Sequence, residues 1–317
     1  MKLIFELSGE HPEIPFCEIE CIGKLLKCAE QVAVAECPIP EEAERLAMTH
    51  VVMEYLGECS ADRSSFEDLL NSLNIKTGKT FAGRVKKMSG TAIKDTQLDL
   101  ERCIGSHISG QVSLNSPEEE YRAVFSGDLC FFGRVLFRID RGGFAYRNPM
   151  RRAFFHPGVM MPILARTLVN LSFAGEGDLL LDPFCGTGGI LLEGQLLGCR
   201  VIGSDMDGFM LLGCRDNLPS AEVMCADATH LPLPEGSVDA VVTDLPYGQS
   251  VCIRAESMNK LYNDSLAEIR RVLKPGGRAV VVTHVDIRQI AESHFNIIQY
   301  HEQRVHKSLT RKIMVME

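Results

Sequence analysis

Hydrophobic and polar positions in the second half of the chain form short apolar runs, which are separated by longer segments of helical periodicity. Each run is closed by an acidic residue or a turn, and the runs are 179–182, 201–205, 238–244 and 278–282. A helical segment over 261–273 stops just before the turn Pro275-Gly276-Gly277. Strands that alternate with helices in this way predict an α/β fold with a parallel, doubly wound sheet.

A proline marks a further helix in front of the first of these strands. Pro157 suits the first turn of a helix, where its missing N–H would have no partner in any case. The apolar positions that follow have helical spacing and are Met161, Leu164, Ala165, Leu168 and Leu171. We therefore predict a helix that starts at Pro157 and buries this stripe, with His156 helping to cap it.

The first 60 residues have weaker patterns than the second half. Apolar and polar residues alternate over 3–7, which is typical of a half-buried strand. Apolar residues at helical spacing predict helices over 18–29 and 41–56, and a short strand lies between them at 32–34. This order of elements suits a small α+β domain.

Residues 61–140 show a similar mixture of strands and helices. The predicted elements are helices from 64 onward and over 98–108, and strands over 80–87, 112–114 and 121–125. The segment that follows is rich in Arg, Gly, Pro and Asn, which is typical of a linker. The predicted domains are therefore 1–60, 61–140 and 156–317, with a linker at 141–155.

Composition narrows the class of protein. The chain has 317 residues, of which 45% are hydrophobic and 24% are charged, and these values exclude a mainly disordered protein. We find no apolar stretch that could span a bilayer and no signal-peptide pattern in residues 1–6, so we expect a cytoplasmic protein without a membrane partner. The 12 cysteines form no C-x-x-C pair, and we expect them to be reduced and to bind no metal.

The charge of the chain is unevenly distributed. A net charge of −9 argues against a surface that binds nucleic acid all over. Two segments nevertheless contain basic residues and no acidic ones; these residues are Lys76, Lys79, Arg84, Lys86, Lys87 and Lys94 in the first, and Arg141, Arg147, Arg151 and Arg152 in the second. Such segments can bind a polyanion locally, and a solvated basic face is the alternative interpretation.

A glycine-rich loop follows the first strand of the α/β half. It reads Asp182-Pro183-Phe184-Cys185-Gly186-Thr187-Gly188-Gly189. A dinucleotide fingerprint that started at Gly186 would require glycine at position 191, where the chain has Leu191. An acid at a strand end followed by G-x-G is instead typical of S-adenosylmethionine sites, in which the acid can meet the cationic ammonium group of the cofactor.

Acidic residues also end the next two strands. Asp205 closes the second strand, where a carboxylate can accept hydrogen bonds from both hydroxyls of a ribose. Asp227 closes the third strand and could accept a hydrogen from an adenine amino group. One acid at a strand end is unremarkable, but three consecutive strands that each end in aspartate favour a nucleoside-binding site.

The fourth strand ends in Asp244-Leu245-Pro246-Tyr247-Gly248, which suits an exocyclic amine on a planar base. Such a nitrogen is a poor nucleophile because its lone pair is delocalised into the ring. The Asp244 carboxylate and the Leu245 carbonyl could accept its two hydrogens and favour a pyramidal nitrogen. Tyr247 could stack on the base, so the pattern predicts methyl transfer to an amine.

These motifs resemble those of amino-methylating, S-adenosylmethionine-dependent methyltransferases that carry an Asp/Asn-Pro-Pro-Tyr motif. The first half is similar to a THUMP RNA-binding domain at Thr80-Phe81, Arg84-Val85-Lys86, Glu101, Ile104-Gly105 and 112–117. Residues 5–11, Phe155-His156-Pro157 and 304–311 strengthen the match. Nearly the whole chain resembles the archaeal tRNA guanine-10 N2-methyltransferase family.

The resemblance implies a fold, a cofactor and a substrate. The fold is a Rossmann-like class I methyltransferase domain that follows ferredoxin-like and THUMP domains, and the N-terminal domains bind tRNA. The implied cofactor is S-adenosylmethionine. The implied acceptor is the exocyclic N2 of guanine 10 in tRNA, which gives N2-methylguanosine and, after a second transfer, N2,N2-dimethylguanosine. The sequence leaves the oligomeric state open, with a slight preference for a monomer.

The candidate site residues fall into three groups. The catalytic group is Asp244, Leu245, Pro246 and Tyr247. The cofactor-binding group is His156, Asp182, Pro183, Phe184, Cys185, Gly186, Thr187, Gly188, Asp205, Met206, Asp227 and Ala228. The RNA-binding group is Lys79, Arg84, Lys86, Lys87, Arg151 and Arg152. Leu245 departs from the family motif, which usually has a proline there, and we expect it to change the stiffness of the loop rather than abolish the chemistry.

Other functions remain compatible with the sequence. One is methylation of another guanine N2, or of an adenine N6, in RNA. Another is a non-catalytic RNA-binding protein with a vestigial methyltransferase fold, although the set of Asp182, Gly186, Asp205 and Asp244 speaks against it. A methyltransferase that acts on a small molecule would not require the first 140 residues.

Overall fold

The computed structural model describes residues 1–247, 255–307 and 309–317, without the side chains of 255–257. Gly248, the last residue of the predicted amine-binding motif, and Ser308 in the closing segment lie outside the described residues. The chain divides into two compact units, Met1–Asp140 and Arg141–Glu317. In the described part of the chain, no helix is both long and apolar enough to cross a membrane.

The first unit is built on one mixed sheet of eight strands. Its strands are β1 (Lys2–Leu7), β2 (Lys24–Ala29), β3 (Val32–Glu36), β4 (Thr49–Ser60), β5 (Lys76–Lys87), β6 (Ser109–Val112), β7 (Glu119–Ser126) and β8 (Leu129–Arg138). Its helices are α1 (Ile14–Ile19), α2 (Arg63–Leu73) and α3 (Gln97–His107), with a 3-10 helix at Pro40–Arg45. The strand order is β2-β3-β1-β4-β8-β7-β5-β6, so one sheet runs through both of the predicted N-terminal domains. The division of this unit at residue 60 stays a prediction.

Two helices predicted in the first 60 residues are wrong. Residues 18–29 form the end of α1 and the strand β2, and residues 41–56 form most of the 3-10 helix and much of β4. β4 pairs with β1 on one side and β8 on the other, and its run Val51-Val52-Met53 is buried. A central strand is apolar on both faces, so its pattern can imitate helical spacing, and pairing with distant strands decides the outcome.

Other strands of the first unit also differ from their predictions. β1 is buried along almost its whole length rather than half-buried, because it lies between β3 and β4. The strand predicted at 112–114 is β6, which lies at 109–112 and pairs with β5. β8 was not predicted, although it is one of the central strands.

The second unit has the predicted doubly wound α/β architecture. Its strands are β9 (Leu179–Asp182), β10 (Arg200–Asp205), β11 (Glu222–Cys225), β12 (Val238–Asp244), β13 (Leu273–Thr283), β14 (Ile297–His306) and β15 (Leu309–Met316). Its helices are α4 (Gly142–Tyr146), α5 (Pro162–Leu171), α6 (Gly189–Leu196), α7 (Gly208–Asn217), α8 (Ala255–Val272) and α9 (Arg288–Ala291), with a 3-10 helix at Pro149–Arg151. The strand order is β11-β10-β9-β12-β13-β15-β14, and the first five of these strands are parallel. The chain order reverses between β9 and β12, which is where such sheets bind ligands.

The segment in front of α5 differs from its prediction. The helix predicted from Pro157 begins at Pro162, because Gly158 has φ of +86°, a left-handed conformation that a helix cannot contain. The stripe at Leu164, Ala165, Leu168 and Leu171 is buried as expected, whereas Met161 is exposed. His156 therefore does not cap this helix, and its Nδ1 lies 2.9 Å from the Pro157 carbonyl. The predicted linker, 141–155, forms the beginning of the second unit and contains α4 and the 3-10 helix.

Candidate active site

The loop between β9 and α6 forms part of the wall of a cavity of about 180 Å³. The predicted site residues that line it are His156, Asp182, Phe184, Cys185, Gly186, Thr187 and Asp244. Predicted residues outside its lining are Pro183, Gly188, Asp205, Met206, Asp227, Ala228, Leu245, Pro246 and Tyr247. Further lining residues that the sequence did not mark as site residues are Pro157, Gly158, Val159, Met160, Gly189, Ile190 and Met210. Thus the structure brings His156 and both strand-end carboxylates at the switch point to one cavity.

Asp182 lies at the end of β9 and is almost completely buried. Its Oδ1 accepts hydrogen bonds from the Thr243 hydroxyl at 2.7 Å and from the Phe184 amide at 3.1 Å. The pKa of Asp182 is raised to about 7, chiefly by burial and to a smaller degree by the negative charges of Asp205 and Asp244, and the two hydrogen bonds limit the rise. A cationic group in the cavity would favour the ionised form, so the residue is suited to attract one.

Asp205, at the end of β10, is held next to the glycine-rich loop by backbone amides. Its Oδ2 accepts a hydrogen bond from the Gly186 amide, and its Oδ1 accepts one from the Asp207 amide, both at 2.9 Å. Each carboxylate oxygen retains a second lone pair for a ligand hydroxyl. Met206 follows on the surface, with 71% of its area exposed. The arrangement fits the predicted role of Asp205 toward a ribose.

Asp227 lies two residues beyond the end of β11 and is exposed. Its Oδ1 accepts hydrogen bonds from the amide and the hydroxyl of Thr229, at 2.9 Å and 2.8 Å. The backbone hydrogen bond from Thr229 is the largest influence on its pKa, which lies below the usual value. The carboxylate is therefore ionised at neutral pH and can accept an amino hydrogen, while the neighbouring Ala228 is buried.

Asp244 ends β12, next to β9 across the switch point. Its Oδ1 accepts a hydrogen bond from the Tyr247 hydroxyl at 2.6 Å. The pKa of Asp244 is raised to about 6, chiefly by burial. The hydrogen bond from Tyr247 and the positive charge of Arg311 limit the rise. The Tyr247 ring lies 4.8 Å from the His284 ring, between centroids. The carboxylate predicted to be catalytic and the ring predicted to stack are therefore joined by a hydrogen bond.

Leu245 and Pro246 fix the backbone between this pair of side chains. The buried Leu245 donates its amide hydrogen to the Val282 carbonyl at 2.9 Å, which extends the pairing of β12 with β13. A proline at this position could not make the bond, since it has no N–H. The Pro246 carbonyl accepts a hydrogen bond from the buried Tyr262 hydroxyl at 2.8 Å. No described residue donates a hydrogen bond to the Leu245 carbonyl, and Leu245 is almost completely buried outside the lining of the cavity.

Four side chains around these motifs were not predicted from the sequence: Thr243, Tyr262, His284 and Arg311. Thr243 directly precedes Asp244 at the end of a predicted strand, and this position was the only sign in the sequence that it could belong to the site. His284 follows β13, and Arg311 lies on β15, which pairs with β13 so that Lys312 faces Thr283. Tyr262 and His284 come to this edge through tertiary packing, so no local pattern marks them. Arg311 belongs to the closing segment 304–311, and the resemblance of that segment to the family was the available signal.

The residues around the cavity fit S-adenosylmethionine. A Cβ at Gly186 would point into open space with no heavy atom within 4 Å, so the loop leaves room for a ligand beside it. Asp182 can hold a cation, and Asp205 and Asp227 can bind hydroxyl and amino hydrogens at the adjacent strand ends. In the described part of the chain, no cluster of His, Cys, Asp and Glu is suited to hold a metal ion.

Most of the predicted RNA-binding residues already have partners within the protein. Arg84 donates to the Leu114 carbonyl at 2.6 Å, Lys87 donates to the Asp95 carbonyl at 2.9 Å, and Lys79 lies 3.6 Å from a Glu119 oxygen. Lys86 is exposed on β5 and makes no such contact with the described residues.

The two predicted arginines of the second unit differ from each other. Arg151 is exposed, with its guanidinium 5.9 Å from the Tyr146 ring centroid. The Nε of Arg152 donates to the Arg147 carbonyl at 3.0 Å, and both of its Nη atoms are buried. The RNA-binding role of all six residues stays a prediction.

Comparison with known proteins agrees with this geometry. A family model described as "RMKL-like, methyltransferase domain" matches residues 149–313. The "tRNA (guanine(10)-N2)-dimethyltransferase" of Methanothermobacter thermautotrophicus is 35% identical over 100% of this chain and 99% of its own length. The protein of the same name from Methanocaldococcus jannaschii is 31% identical over 98% of each chain.

A solved structure shows the same fold over the whole chain. TrmN from Thermus thermophilus has a TM-score of 0.54 at 21% identity and covers 100% of this chain and 99% of its own. At this identity the likeness supports the fold alone, whereas the full-length sequence relatives show the family. The chain belongs to the family of tRNA (guanine(10)-N2)-dimethyltransferases.

Proposed function

We propose that this protein transfers methyl groups from S-adenosylmethionine to the exocyclic N2 of guanine 10 in tRNA. The observation that carries the proposal is the Asp244 carboxylate at the switch point, which lines the cavity together with Asp182 and Gly186 and is followed directly by Leu245. The names of the full-length relatives support the choice of tRNA and of guanine N2.

The residues of the chain bind and orient the amine. Asp244 and the Leu245 carbonyl accept its two hydrogens, which localises the nitrogen lone pair, and Tyr247 stacks on the base. Pro246, held by Tyr262, keeps the carbonyl and the ring in a fixed relation. When bound, the cofactor would supply an electrophilic methyl group on a positively charged sulfur and would leave as the neutral thioether S-adenosylhomocysteine. The Asp244 carboxylate would accept the proton that the nitrogen loses. A second transfer to the same nitrogen gives N2,N2-dimethylguanosine.

The N-terminal unit supplies the contact with tRNA in this proposal. Its domains at 1–60 and 61–140 correspond to the ferredoxin-like and THUMP domains of the family. Lys86 on β5 is the exposed basic residue best placed to meet a phosphate, because its predicted companions are engaged within the unit.

The replacement of a single nucleotide tests the proposed acceptor atom. Inosine differs from guanosine only by the absence of the exocyclic amine, so tRNA with inosine at position 10 should accept no methyl group from labelled cofactor. Guanosine at the same position, in tRNA assembled in the same way, serves as the control. Equal incorporation into both tRNAs would refute the proposed target.

A further inference from the structure

The guanidinium of Arg152 lies inside the second unit, where its two terminal nitrogens have no hydrogen-bond acceptor among the described residues. Its Nε donates to the Arg147 carbonyl at 3.0 Å. Its Nη1 and Nη2 are buried, and neither has a hydrogen-bond partner among the described residues. A buried cationic group with free donors is unfavourable, so such a group in a folded protein calls for an acceptor that arrives from outside.

The surroundings of Arg152 have one carboxylate for several guanidinium groups. Glu193 is completely buried, and its Oε1 lies 2.7 Å from the Arg147 Nε. Its Oε2 lies 2.9 Å from the Arg166 Nη2. Glu193 is thus engaged by Arg147 and Arg166, although its charge still acts on Arg152. This arginine cluster, Arg147, Arg152 and Arg166 around Glu193, has three positive charges and one negative charge. A further anion would therefore reduce its net positive charge.

Gly189 is the point at which the arginine cluster meets the cavity. It lines the cavity and begins α6, whose N-terminal amides favour negative charge. A Cβ at Gly189 would lie 3.2 Å from the Arg152 Nη1 and 3.6 Å from the Val159 Cγ1. Because Val159 also lines the cavity, Arg152 lies directly behind this part of its wall.

We propose that Arg152 binds the carboxylate of the methionine part of S-adenosylmethionine. The inference rests on the proposed function only in its choice of cofactor. The methionine part carries one ammonium and one carboxylate group, and Asp182 in the same cavity suits the ammonium. A planar guanidinium can hold a carboxylate through two parallel hydrogen bonds.

Calorimetric titration of the full-length protein with two ligands tests the assignment. S-adenosylhomocysteine carries the amino-acid part, and 5′-methylthioadenosine has the same nucleoside without it. Arg152→Gln should weaken binding of S-adenosylhomocysteine by about 10- to 100-fold, as expected for the loss of a charged hydrogen-bonded pair. Binding of 5′-methylthioadenosine should stay unchanged. Arg200→Gln, which removes an exposed arginine at the start of β10, should change neither affinity.

Two further measurements separate this role from a structural one. Arg152→Lys retains the charge but not the planar fork, so its loss of S-adenosylhomocysteine affinity should lie between those of the wild type and Arg152→Gln. This assignment is an alternative to the predicted RNA contact of Arg152, so the tRNA affinity of both variants should equal that of the wild type. The assignment fails if Arg152→Gln binds S-adenosylhomocysteine normally, or if both variants lose the two ligands equally. A wild-type protein that binds neither ligand would contradict the proposed function itself.

Discussion

Asp244 is half-buried and has to be charged in the proposed mechanism, so the pH at which it takes up a proton tests the site. Burial raises its pKa to about 6, and its hydrogen bond from Tyr247 acts in the opposite direction. In the proposed mechanism the ionised carboxylate accepts an amine hydrogen. The rate of methyl transfer should therefore fall as the pH falls through about 6.

The Tyr247→Phe variant tests this assignment at the level of one hydroxyl group. The phenyl ring can still stack on a base, but the hydrogen bond that lowers the pKa of Asp244 is lost. The acidic limb of the pH–rate profile at saturating tRNA and cofactor should then move to higher pH. Arg311, whose charge also lowers this pKa, is unchanged in the variant and limits the shift. A limb that stays in place, or moves to lower pH, would show that another group controls the rate.

Asp182 provides a prediction about stability in the absence of cofactor. Its pKa is raised to about 7 in the folded protein, chiefly by burial, from about 3.9 in an unfolded chain. Its contribution to stability is therefore fully present below pH 4 and is lost as the pH rises through 7. Asp182→Asn cannot ionise, so it should gain stability relative to the wild type as the pH rises. The difference in free energy of unfolding, variant minus wild type, should be about 1–3 kcal/mol larger at pH 8 than at pH 5. Urea unfolding at the two pH values measures the difference, and an equal or reversed difference would contradict it.

At the scale of elements, the loop after β12 depends on helix α8 for its shape. Tyr262 on α8 donates its hydroxyl to the Pro246 carbonyl, although the two residues belong to different elements. Tyr262→Phe removes this bond and little volume. We expect kcat to fall about 3- to 10-fold, as for the loss of one neutral hydrogen bond, with cofactor affinity unchanged.

A second substitution of the same residue provides the comparison. Tyr262→Leu removes the hydroxyl and also leaves a cavity in the core, so it should lower the thermal midpoint as well as kcat. If Tyr262→Phe retains the full kcat, Tyr262 has only a packing role and does not position the loop.

Elements with a local signal were predicted correctly, and elements decided by distant pairing were not. β9, β10 and β12 end in the aspartates that the sequence displays, and α2 and α3 have clear apolar stripes. β13 begins at Leu273, before its predicted start, and contains Pro275-Gly276-Gly277, which was predicted to be a turn. β4 imitates a helix because it is a central strand that pairs with β1 and β8, whereas β2 is an edge strand that pairs with β3 and exposes alternate residues. The same reasoning applies to the site, where Asp182 and Asp244 are marked by their strand ends, whereas Arg311 reaches the site through the pairing of β13 with β15.

At the scale of the whole molecule, binding of tRNA depends on charge at long range and on contact at a few positions. Lys86→Glu should weaken binding of every tRNA by a similar factor and should reduce the salt dependence of the binding constant. Lys24→Glu changes the net charge equally at another exposed lysine of the same unit, on β2, and is the matched control. Fluorescence anisotropy over a range of salt concentrations measures both variants. Equal losses for the two variants, or a loss restricted to certain tRNA sequences, would contradict a phosphate contact at Lys86.

Nucleoside mass spectrometry of tRNA incubated with the protein and methyl-deuterated S-adenosylmethionine tests the central claim most directly. We predict deuterated N2-methylguanosine, followed at longer times by N2,N2-dimethylguanosine with two labelled methyl groups. Label in N6-methyladenosine instead, or no labelled nucleoside from a protein that binds both tRNA and cofactor, would contradict the account.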